Sequence, residues 1–511
     1  MTLRADDSAS RAAELPAGQL GLDTVDVAAV AIPAEVLALV PRHLAERHGL
    51  IPIALRGKML RVAASDPLEV EGIDILRHQL GLDIEVCLAS VEQIARSIGE
   101  NYGNAPGPAI SAAQGEGDAP VIQLVHDLIL EAVRRRASDI HLEPLEKRFR
   151  VRCRVDGVLL EIPGPPKALQ LAVISRVKIM ANISIAEKRI PQDGRIQLTL
   201  AGRSLDLRVS SLPTAHGESI VMRLLDRNDL SPGLAELGFM ADDRVRFEQL
   251  ITLANGLILV TGPTGSGKTT TLYGCLQQLN HTDRKIITVE DPVEYQLSGI
   301  NQVPVRPETG LTFGAALRAM LRQAPNVIMV GEIRDRETAE IALHASLTGH
   351  MVFSTLHTKD AIGAITRLVD IGVQPFLLSA SLRAVLAQRL VRKTCLQCRR
   401  LYSPNAAELT ALGLEPALVT GATFMRGSGC PACEGTGYRG RIGIFELLVL
   451  DEEISQLIHE RPGASRLRQH ARARGMRTLR EDGARKAIAG LTTIEEVVSI
   501  TTGDASYLPS P

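Results

Sequence analysis

A glycine-rich loop between an apolar strand pattern and a helical pattern constrains this chain more than any other feature. Residues 262–269, GPTGSGKT, follow the apolar run GLILVT and precede TTLYGCLQQL. The glycines let the backbone point its N–H groups inward at the amino end of a helix, which favours a bound phosphate. This strand–loop–helix order is the context that GxxxxGK[ST] requires. The predicted nucleotide-binding residues are Gly262, Pro263, Thr264, Gly265, Ser266, Gly267, Lys268 and Thr269.

Acidic residues follow two further apolar strand patterns, and they suggest hydrolysis rather than binding alone. Glu290, Asp291 and Glu294 lie in ITVEDPVEY, and Glu332 follows NVIMVG. Phosphoryl transfer needs Lys268 to neutralise phosphate charge, a hydroxyl such as that of Thr269 on Mg²⁺, and a carboxylate that orients water. Because ligands bind at the carboxyl ends of parallel strands, both acidic clusters are placed where they could bind the metal or orient the water. Either cluster taken alone could equally be a solvated loop.

Histidines flank one more apolar strand pattern, GHMVFSTLHTKDA at 349–361. A histidine beside a strand is usually structural or simply exposed, and this holds for His350 and His357 taken singly. At a strand end near the γ-phosphate, a histidine could instead sense the nucleotide through a hydrogen bond.

Four of the seven cysteines form two CxxC pairs. Two such knuckles bring four thiolates to one tetrahedral metal, which suits Zn²⁺. A redox role is the alternative, but thioredoxin-type CxxC does not normally occur as two pairs. The other three cysteines, Cys87, Cys153 and Cys275, lie in apolar patterns and are expected in the core. The predicted zinc ligands are Cys395, Cys398, Cys430 and Cys433.

Length and composition set the outer limits. A chain of 511 residues is too long for one compact core. A net charge of −1 and 3% aromatic residues without tryptophan argue against a general nucleic-acid binder. No apolar run is long enough to span a bilayer, and the first thirty residues lack a signal-peptide core, so a cytoplasmic location is expected.

Composition also divides the chain. Residues 1–24 are polar and predicted to be a disordered tail, and 25–103 alternate short strands and helices as in a small α+β domain. Residues 104–120 are rich in Gly, Pro, Ala and Ser, which is typical of a linker. Beyond them, Val- and Ile-rich strands alternate with helices, which indicates an α/β fold around a buried parallel sheet.

These motifs together resemble those of the secretion ATPases of the type II/type IV secretion superfamily. GPTGSGKTTTLY, ITVEDPVEY, GEIRD and STLHTKDA look like their Walker A, Asp box, Walker B and His box. ASDIHLEP, RVDGVL, PQDGRI, RLVR and the second cysteine pair extend the match over about residues 120–505. The resemblance is strongest to the assembly ATPases, above all the E component of type II secretion.

The resemblance implies a RecA-like P-loop ATPase domain with α+β N-terminal domains and a small zinc-binding segment. An N-terminal half-domain (PAS-like) would occupy 121–235, the ATPase domain 236–390, the zinc segment 391–445 and a helical region 446–511. Glu332 would be the essential Walker B carboxylate, with Lys268, Glu290 and His357 also catalytic. By the same resemblance, the basic residues that the half-domain offers to the phosphates are Arg195, Arg203 and Arg208.

It also implies a Mg²⁺-dependent hexamer that hydrolyses ATP at the cytoplasmic face of the bacterial inner membrane. Such an enzyme drives pseudopilus assembly and protein export by type II secretion. It would be peripheral to the membrane, held there by the cytoplasmic domains of the L and F platform components. The domain at 25–103 would dock on them; no RLG motif begins the chain, so we expect docking without a cyclic dinucleotide. Type IV pilus extension is the alternative, and a DNA motor or an inactive scaffold are weaker ones.

Several positions depart from the family pattern. RQAPN at 322–326 stands where RQDPD is usual, so two carboxylates are missing. HGES at 216–219 lacks one positive charge, and Lys359 adds one beside the His box. Because Glu332 remains, we expect ATP hydrolysis to persist, although these substitutions could alter the metal affinity or the rate of hydrolysis. The cysteine segment and the domain at 25–103 argue against a pilus retraction enzyme.

Overall fold

The computed structural model describes most of the chain, which divides into two compact units at Val121 and Ile122. The described residues are 25–64 and 82–103 with short gaps, 73, 76, and 115–502 apart from 201–202, 227–232, 416–418, 420 and 461–462. The predicted tail at 1–24 and residues 104–114 of the predicted linker lie outside this set. No helix in the described ranges is long and apolar enough to cross a membrane.

The first unit is built on a small three-stranded sheet. Its elements are α1 Ala34–Leu37, β1 Leu50–Arg56, β2 Met59–Ala64, β3 Asp83–Leu88 and α2 Val91–Gly103. β2 pairs antiparallel with β1 and parallel with β3. The Tyr102 hydroxyl at the end of α2 donates to the carbonyl of Val40 at 2.8 Å, which fastens the helix over the core. The alternating strand and helix patterns therefore give the α+β domain that they predict.

A six-stranded antiparallel sheet begins the second unit, in the order β6-β5-β4-β9-β8-β7. Its elements are α3 Gly115–Arg134, β4 Asp139–Pro144, β5 Phe149–Val155, β6 Val158–Ile162, α4 Gln170–Met180, β7 Gln192–Leu200, β8 Arg203–Thr214 and β9 Gly217–Asp226. α3 begins at Gly115, inside the predicted linker at 104–120, so the helix starts earlier than that prediction allows.

A seven-stranded sheet forms the centre of the rest of the second unit, in the order β12-β11-β13-β14-β10-β15-β18. The strands are β10 Gly256–Thr261, β11 Ile286–Glu290, β12 Asn301–Pro304, β13 Val327–Val330, β14 Met351–Leu356, β15 Leu382–Thr394 and β18 Tyr438–Val449, with β16 Arg399–Leu401 and β17 Met425–Gly427 forming a separate pair. All neighbours are parallel except β18, which runs antiparallel to β15. Alternate residues of β10 enter the hydrophobic cores on opposite faces of the sheet, Leu257 and Leu259 on one, Ile258 and Val260 on the other.

Helices cover both faces of this sheet, as expected where parallel strands are buried. The described α-helices after β9 are α5 Ala241–Ile251, α6 Lys268–Leu279, α7 Phe313–Leu321, α8 Arg336–Leu347, α9 Ala361–Asp370, α10 Pro375–Ser381, α11 Ala406–Leu412, α12 Glu452–His459, α13 Ala464–Ala473, α14 Leu479–Ile488 and α15 Ile494–Thr501.

The predicted limits of the zinc segment, 391 and 445, differ from the observed ones. β15 runs on to Thr394 and β18 begins at Tyr438, and both belong to the central sheet. The cysteine segment is therefore an insertion between two neighbouring strands, over 395–437. The ladder from Ala384↔Val449 to Thr394↔Tyr438 joins residues 44 to 65 positions apart, which local sequence patterns do not reveal.

Candidate active site

The phosphate loop connects β10 to α6, and its glycines adopt conformations that side chains rarely take. Gly265 and Gly267 have φ values of 77° and 88°, in the left-handed region. A Cβ on Gly267 would also lie 2.7 Å from Nε2 of Gln388. Because the first N–H groups of α6 have no intrahelical acceptors, the loop presents several donors at one point. This geometry suits the anion cradle that the sequence motif predicts.

Gln388 of β15 forms hydrogen bonds that support this loop, and the sequence analysis did not identify it. Its side-chain amide donates to the Ser266 carbonyl at 2.8 Å, and its oxygen accepts from the Thr271 hydroxyl at 2.7 Å. The residue is 2% exposed. The only available signal was a glutamine inside the apolar pattern AVLAQRLV.

Lys268 folds back over its own loop. Its ammonium donates to the carbonyls of Gly262 at 2.9 Å and Pro263 at 3.0 Å. Burial lowers the pKa of this ammonium below its usual value, Glu332 opposes the shift, and Arg389 adds to it. A phosphate in the cradle would supply the negative charge that this half-buried cation lacks.

The loop opens into a cleft of about 530 Å³ at the carboxyl ends of the parallel strands. Thr264 to Thr270 line it together with residues from seven other parts of the chain. The acidic and polar members are Glu290, Asp291, Glu294, Glu332, Thr355 and His357, and the basic ones outside the loop are Arg223 and Arg441. The structure thus gathers both predicted acidic clusters and the predicted histidine at the phosphate loop.

Glu332 lies just past the end of β13, and its carboxylate is held by two side chains. Arg334 forms a short ion pair with one oxygen, and Nε2 of His357 lies 3.4 Å from the other. The Glu332 side chain is 17% exposed, whereas the His357 side chain is 52% exposed. His350, the other candidate histidine, instead contacts the Ala345 carbonyl at 2.9 Å and so has a structural role.

Glu290 is the most buried carboxylate at the cleft, 3% exposed at the end of β11. It accepts a short hydrogen bond from the Tyr273 hydroxyl, one from Thr288 at 2.6 Å, and one from Gln302 at 3.1 Å. Tyr273 and Gln302 are further residues that the sequence reasoning did not identify.

Three arginines form a row across β7, β8 and β9. Arg195 is the cross-strand neighbour of Arg208, and Arg208 that of Arg223. Adjacent like charges are unfavourable unless each has a partner. Arg195 pairs with Asp206 at 2.6 Å, and Arg223 with Asp139 at 3.1 Å.

Arg208, the middle residue of the row, pairs with Glu294 at 3.0 Å and donates to the Val293 carbonyl at 3.3 Å. Of the three, Arg223 is the one that lines the cleft. The backbone of Arg203 belongs to β8, but its side chain lies outside the described residues. The phosphate-binding role predicted for Arg195, Arg203 and Arg208 therefore stays a prediction, and Arg223 joins the candidates.

The residues present fit a nucleoside triphosphate with its magnesium ion. The Ser266 hydroxyl is buried and has no hydrogen-bond partner among the described residues, although it lies in the middle of the phosphate loop. The cleft also combines a lysine and two arginines with the hydroxyl of Thr269 and four carboxylates. Cations suit the phosphates, and hydroxyl and carboxylate oxygens are the ligands that Mg²⁺ prefers.

The two positions of the RQAPN segment that lack the family's carboxylates, Ala324 and Asn326, lie away from the cleft. Both residues precede β13, whereas Glu332 follows it, so they lie at the opposite end of this strand from Glu332. Asn326 accepts from the Lys285 backbone N–H at 2.7 Å and helps align β11 with β13. Neither residue is among the described residues that line the cleft.

The two cysteine pairs converge as predicted. All four sulfur atoms lie within 4.8 Å of one another, with 3.8 Å between Cys395 and Cys430 and between Cys398 and Cys433. A tetrahedron with bonds of about 2.3 Å has edges of about 3.8 Å, so the spacing fits Zn²⁺. Burial raises the pKa of the Cys433 thiol, but N–H donors from Cys430 and Gly437 outweigh it and lower the pKa to about 6. Thiolate is the form that binds a metal.

The sheet order, the phosphate loop and the acidic cleft define a RecA-like P-loop ATPase. A family model described as type II/IV secretion system protein matches residues 114–499, and an MshEN domain model matches residues 20–108. The chain belongs to the type II/IV secretion system protein family. The predicted family, fold class and ATPase activity are therefore confirmed.

Individual relatives agree with this placement. The chain is 46% identical over 498 residues to type II secretion system protein E of Pseudomonas aeruginosa, covering 93% of this chain and 98% of that protein. It is 42% identical over 510 residues to the type IV pilus assembly ATPase PilB of Myxococcus xanthus, covering 95% and 90%. A crystal structure of the pilus retraction motor PilT with bound ADP superimposes with a TM-score of 0.50 at 28% identity, covering 75% of this chain and 97% of that one.

Proposed function

We propose that this protein is the ATPase that drives pseudopilus assembly and protein export in a type II secretion system. The observation that carries the proposal is the cleft in which the phosphate loop meets Glu290 and Glu332. Similarity to type II secretion system protein E over nearly the full length of both chains supports the choice of system.

In this proposal, the loop N–H groups, Ser266 and Lys268 bind the phosphates of ATP. Thr269 and the cleft carboxylates would hold Mg²⁺, which neutralises the charge that develops on the phosphates. Glu332 orients the attacking water or its metal, Glu290 supports it, and His357 lies beside Glu332 to respond to the γ-phosphate. Arginines of the half-domain would stabilise the transferring phosphoryl group when the cleft closes.

Replacing Glu332 with glutamine tests the hydrolytic role. The substitution keeps size and hydrogen bonding but removes the charge, so turnover should fall at least 100-fold while nucleotide still binds. The release of phosphate measures turnover, and titration with fluorescent ATP measures nucleotide binding. Glu308→Gln, an exposed position outside the cleft, is the matched control. Wild-type turnover by Glu332→Gln would contradict the role, and a wild-type protein that binds but never hydrolyses ATP would favour a nucleotide-dependent scaffold.

Type IV pilus extension is the second candidate, because the chain aligns with the pilus ATPase PilB over 95% of its length. Deleting the gene and measuring both secreted hydrolases and surface pili separates the two. Loss of secretion with intact pili supports type II secretion, and loss of pili with intact secretion supports the pilus. A nucleic-acid partner is not expected for a chain of net charge −1; salt-dependent stimulation of the ATPase by DNA would contradict that.

We also propose that the protein acts as a homohexamer at the cytoplasmic face of the inner membrane. Its partners would be the cytoplasmic domains of the L and F platform components, with residues 25–103 as the docking domain. A cleft that takes Arg223 from the half-domain at 121–235 is suited to control by assembly. The specific ATPase activity should therefore rise with protein concentration and with added L domain, and equal rates for monomer and hexamer would contradict this.

Finally, we propose that the four cysteines bind one structural Zn²⁺. The four convergent sulfur atoms support this, and closed tetrahedral cysteine sites are structural rather than catalytic. Elemental analysis of the purified protein should find one zinc per chain, and absence of zinc from a folded, active protein would contradict it.

A further inference from the structure

A buried polar cluster lies behind the active-site cleft, and the roles proposed above use only one member of it. We define the Glu290 cluster as Tyr273, Thr288, Glu290 and Gln302. Tyr273 is on α6, five residues after the phosphate-loop lysine, Thr288 and Glu290 are on β11, and Gln302 is on β12. The cluster therefore joins the phosphate-loop helix to two strands of the central sheet.

The cluster fixes the Glu290 carboxylate through donors on both of its oxygens. Tyr273 donates to Oε2, while Thr288 and Gln302 donate to Oε1. Tyr273 is fully buried, and Tyr295 packs edge-on against its ring with centroids 4.6 Å apart. Burial, and then the negative charge of Glu290, raise the pKa of the Tyr273 hydroxyl, so it remains protonated and able to donate.

Gln302 extends the cluster to the loop that carries the other cleft carboxylates. Its side-chain oxygen accepts from the Leu297 N–H at 2.7 Å, and its amide also donates to the Tyr295 carbonyl at 3.2 Å. The base of the loop between β11 and β12 is thus attached to Glu290 through one side chain.

The same loop is held nearer its start by the half-domain. Asp291 and Glu294 of the loop line the cleft, and Arg208 contacts Glu294 and the Val293 carbonyl. The loop therefore has one attachment to the half-domain and another to the Glu290 cluster. The position of the Glu290 carboxylate therefore depends on the side chains that donate hydrogen bonds to it.

We propose that Tyr273, acting with Gln302, is a positioning residue that holds Glu290 and the loop at 291–297 in the geometry needed for ATP hydrolysis. Neither side chain needs to touch the nucleotide; each acts through the carboxylate that it orients. The inference rests on the proposed ATPase function and names residues that this function does not itself require.

Tyr273→Phe in the full-length protein tests the proposal, since it removes one hydroxyl and keeps the ring packing. We expect kcat to fall at least fivefold while the KM for ATP stays within twofold, because Lys268 and the phosphate loop are untouched. Tyr102→Phe is the matched control: it also removes a partly buried hydroxyl that donates at 2.8 Å, in the other unit of the chain, and kcat should not change. Wild-type kcat for Tyr273→Phe would overturn the proposal.

A double-mutant cycle separates positioning from general loss of stability. If Tyr273 and Gln302 act through one carboxylate, the kcat effects of Tyr273→Phe and Gln302→Met should combine to less than their product. Simple multiplication of the two effects, or a rise in KM that matches the fall in kcat, would contradict a shared action on Glu290. A wild-type enzyme without ATPase activity would instead contradict the proposed function, so the two failures are distinguishable.

Discussion

Gln388 offers the sharpest test of how the sheet supports the phosphate loop. Gln388→Met keeps the length of the side chain but leaves the Ser266 carbonyl and the Thr271 hydroxyl, both buried, without their partner. An unpaired buried polar group costs about 1–3 kcal/mol, so the two together should destabilise the native loop by roughly 2–6 kcal/mol. If about 2 kcal/mol of this disfavours the binding conformation, the Kd for ATP rises about 30-fold.

Titration with fluorescent ATP measures the change in Kd, and urea unfolding measures the change in stability. Gln278→Met is the matched control, because Gln278 is exposed on α6, the same helix that carries Thr271. The control should bind ATP as the wild type does. A folded Gln388→Met variant with an unchanged Kd would refute the reasoning, since the loop would then keep its shape without support from β15.

Three further predictions follow from contacts outside the phosphate loop. Cys430→Ser should lower the zinc content from one to near zero per chain and lower the melting temperature, as measured by elemental analysis and calorimetry; retained zinc would refute the four-cysteine site. Arg208→Gln should lower kcat more than it changes the Kd for ATP, because Arg208 does not itself line the cleft and acts through Glu294 and Val293 of the loop at 291–297; the reverse pattern would place it on the phosphates. Lys486→Met should cost about 3–5 kcal/mol in urea unfolding, because it leaves the buried Asp482 carboxylate unpaired; Lys486→Met with Asp482→Leu should recover much of the loss, and no recovery would contradict the pairing argument.

The parts of the site that depend on contiguous sequence could be predicted. The phosphate loop needs a fixed order of glycines, lysine and threonine between a strand and a helix, so its geometry is local. The CxxC pairs are local knuckles, and only their convergence is long-range. Glu290 and Glu332 could be placed because the carboxyl ends of parallel strands share one edge of the sheet.

The residues that support the site could not be predicted, because their roles depend on strand order. Gln388 lies 120 residues after Lys268 in the chain, yet β15 is the neighbour of β10 and passes beneath the loop. The arginines show the same limit. Alternation along β8 and β9 gives a face for each strand, but only the strand pairing puts Arg223 beside Arg208, and only the folded cleft shows that Arg223 is the one that lines it.

The position of the cysteine cluster suggests why an ATPase of this kind would carry structural zinc. Cys395 directly follows β15, and Cys433 lies five residues before β18, so the four cysteines join the ends of two antiparallel strands at one edge of the sheet. β15 also supplies Gln388 to the phosphate loop, only seven residues before Cys395. β15 is therefore next to the cysteine cluster at one end and bonded to the phosphate loop near its middle.

β18 is an edge strand with one neighbour, and an edge strand has fewer backbone hydrogen bonds to keep it in register. We infer that a zinc ion fixing the start of β18 beside β15 would keep the 384–394 ladder aligned, and would thereby keep Gln388 bonded to the phosphate loop.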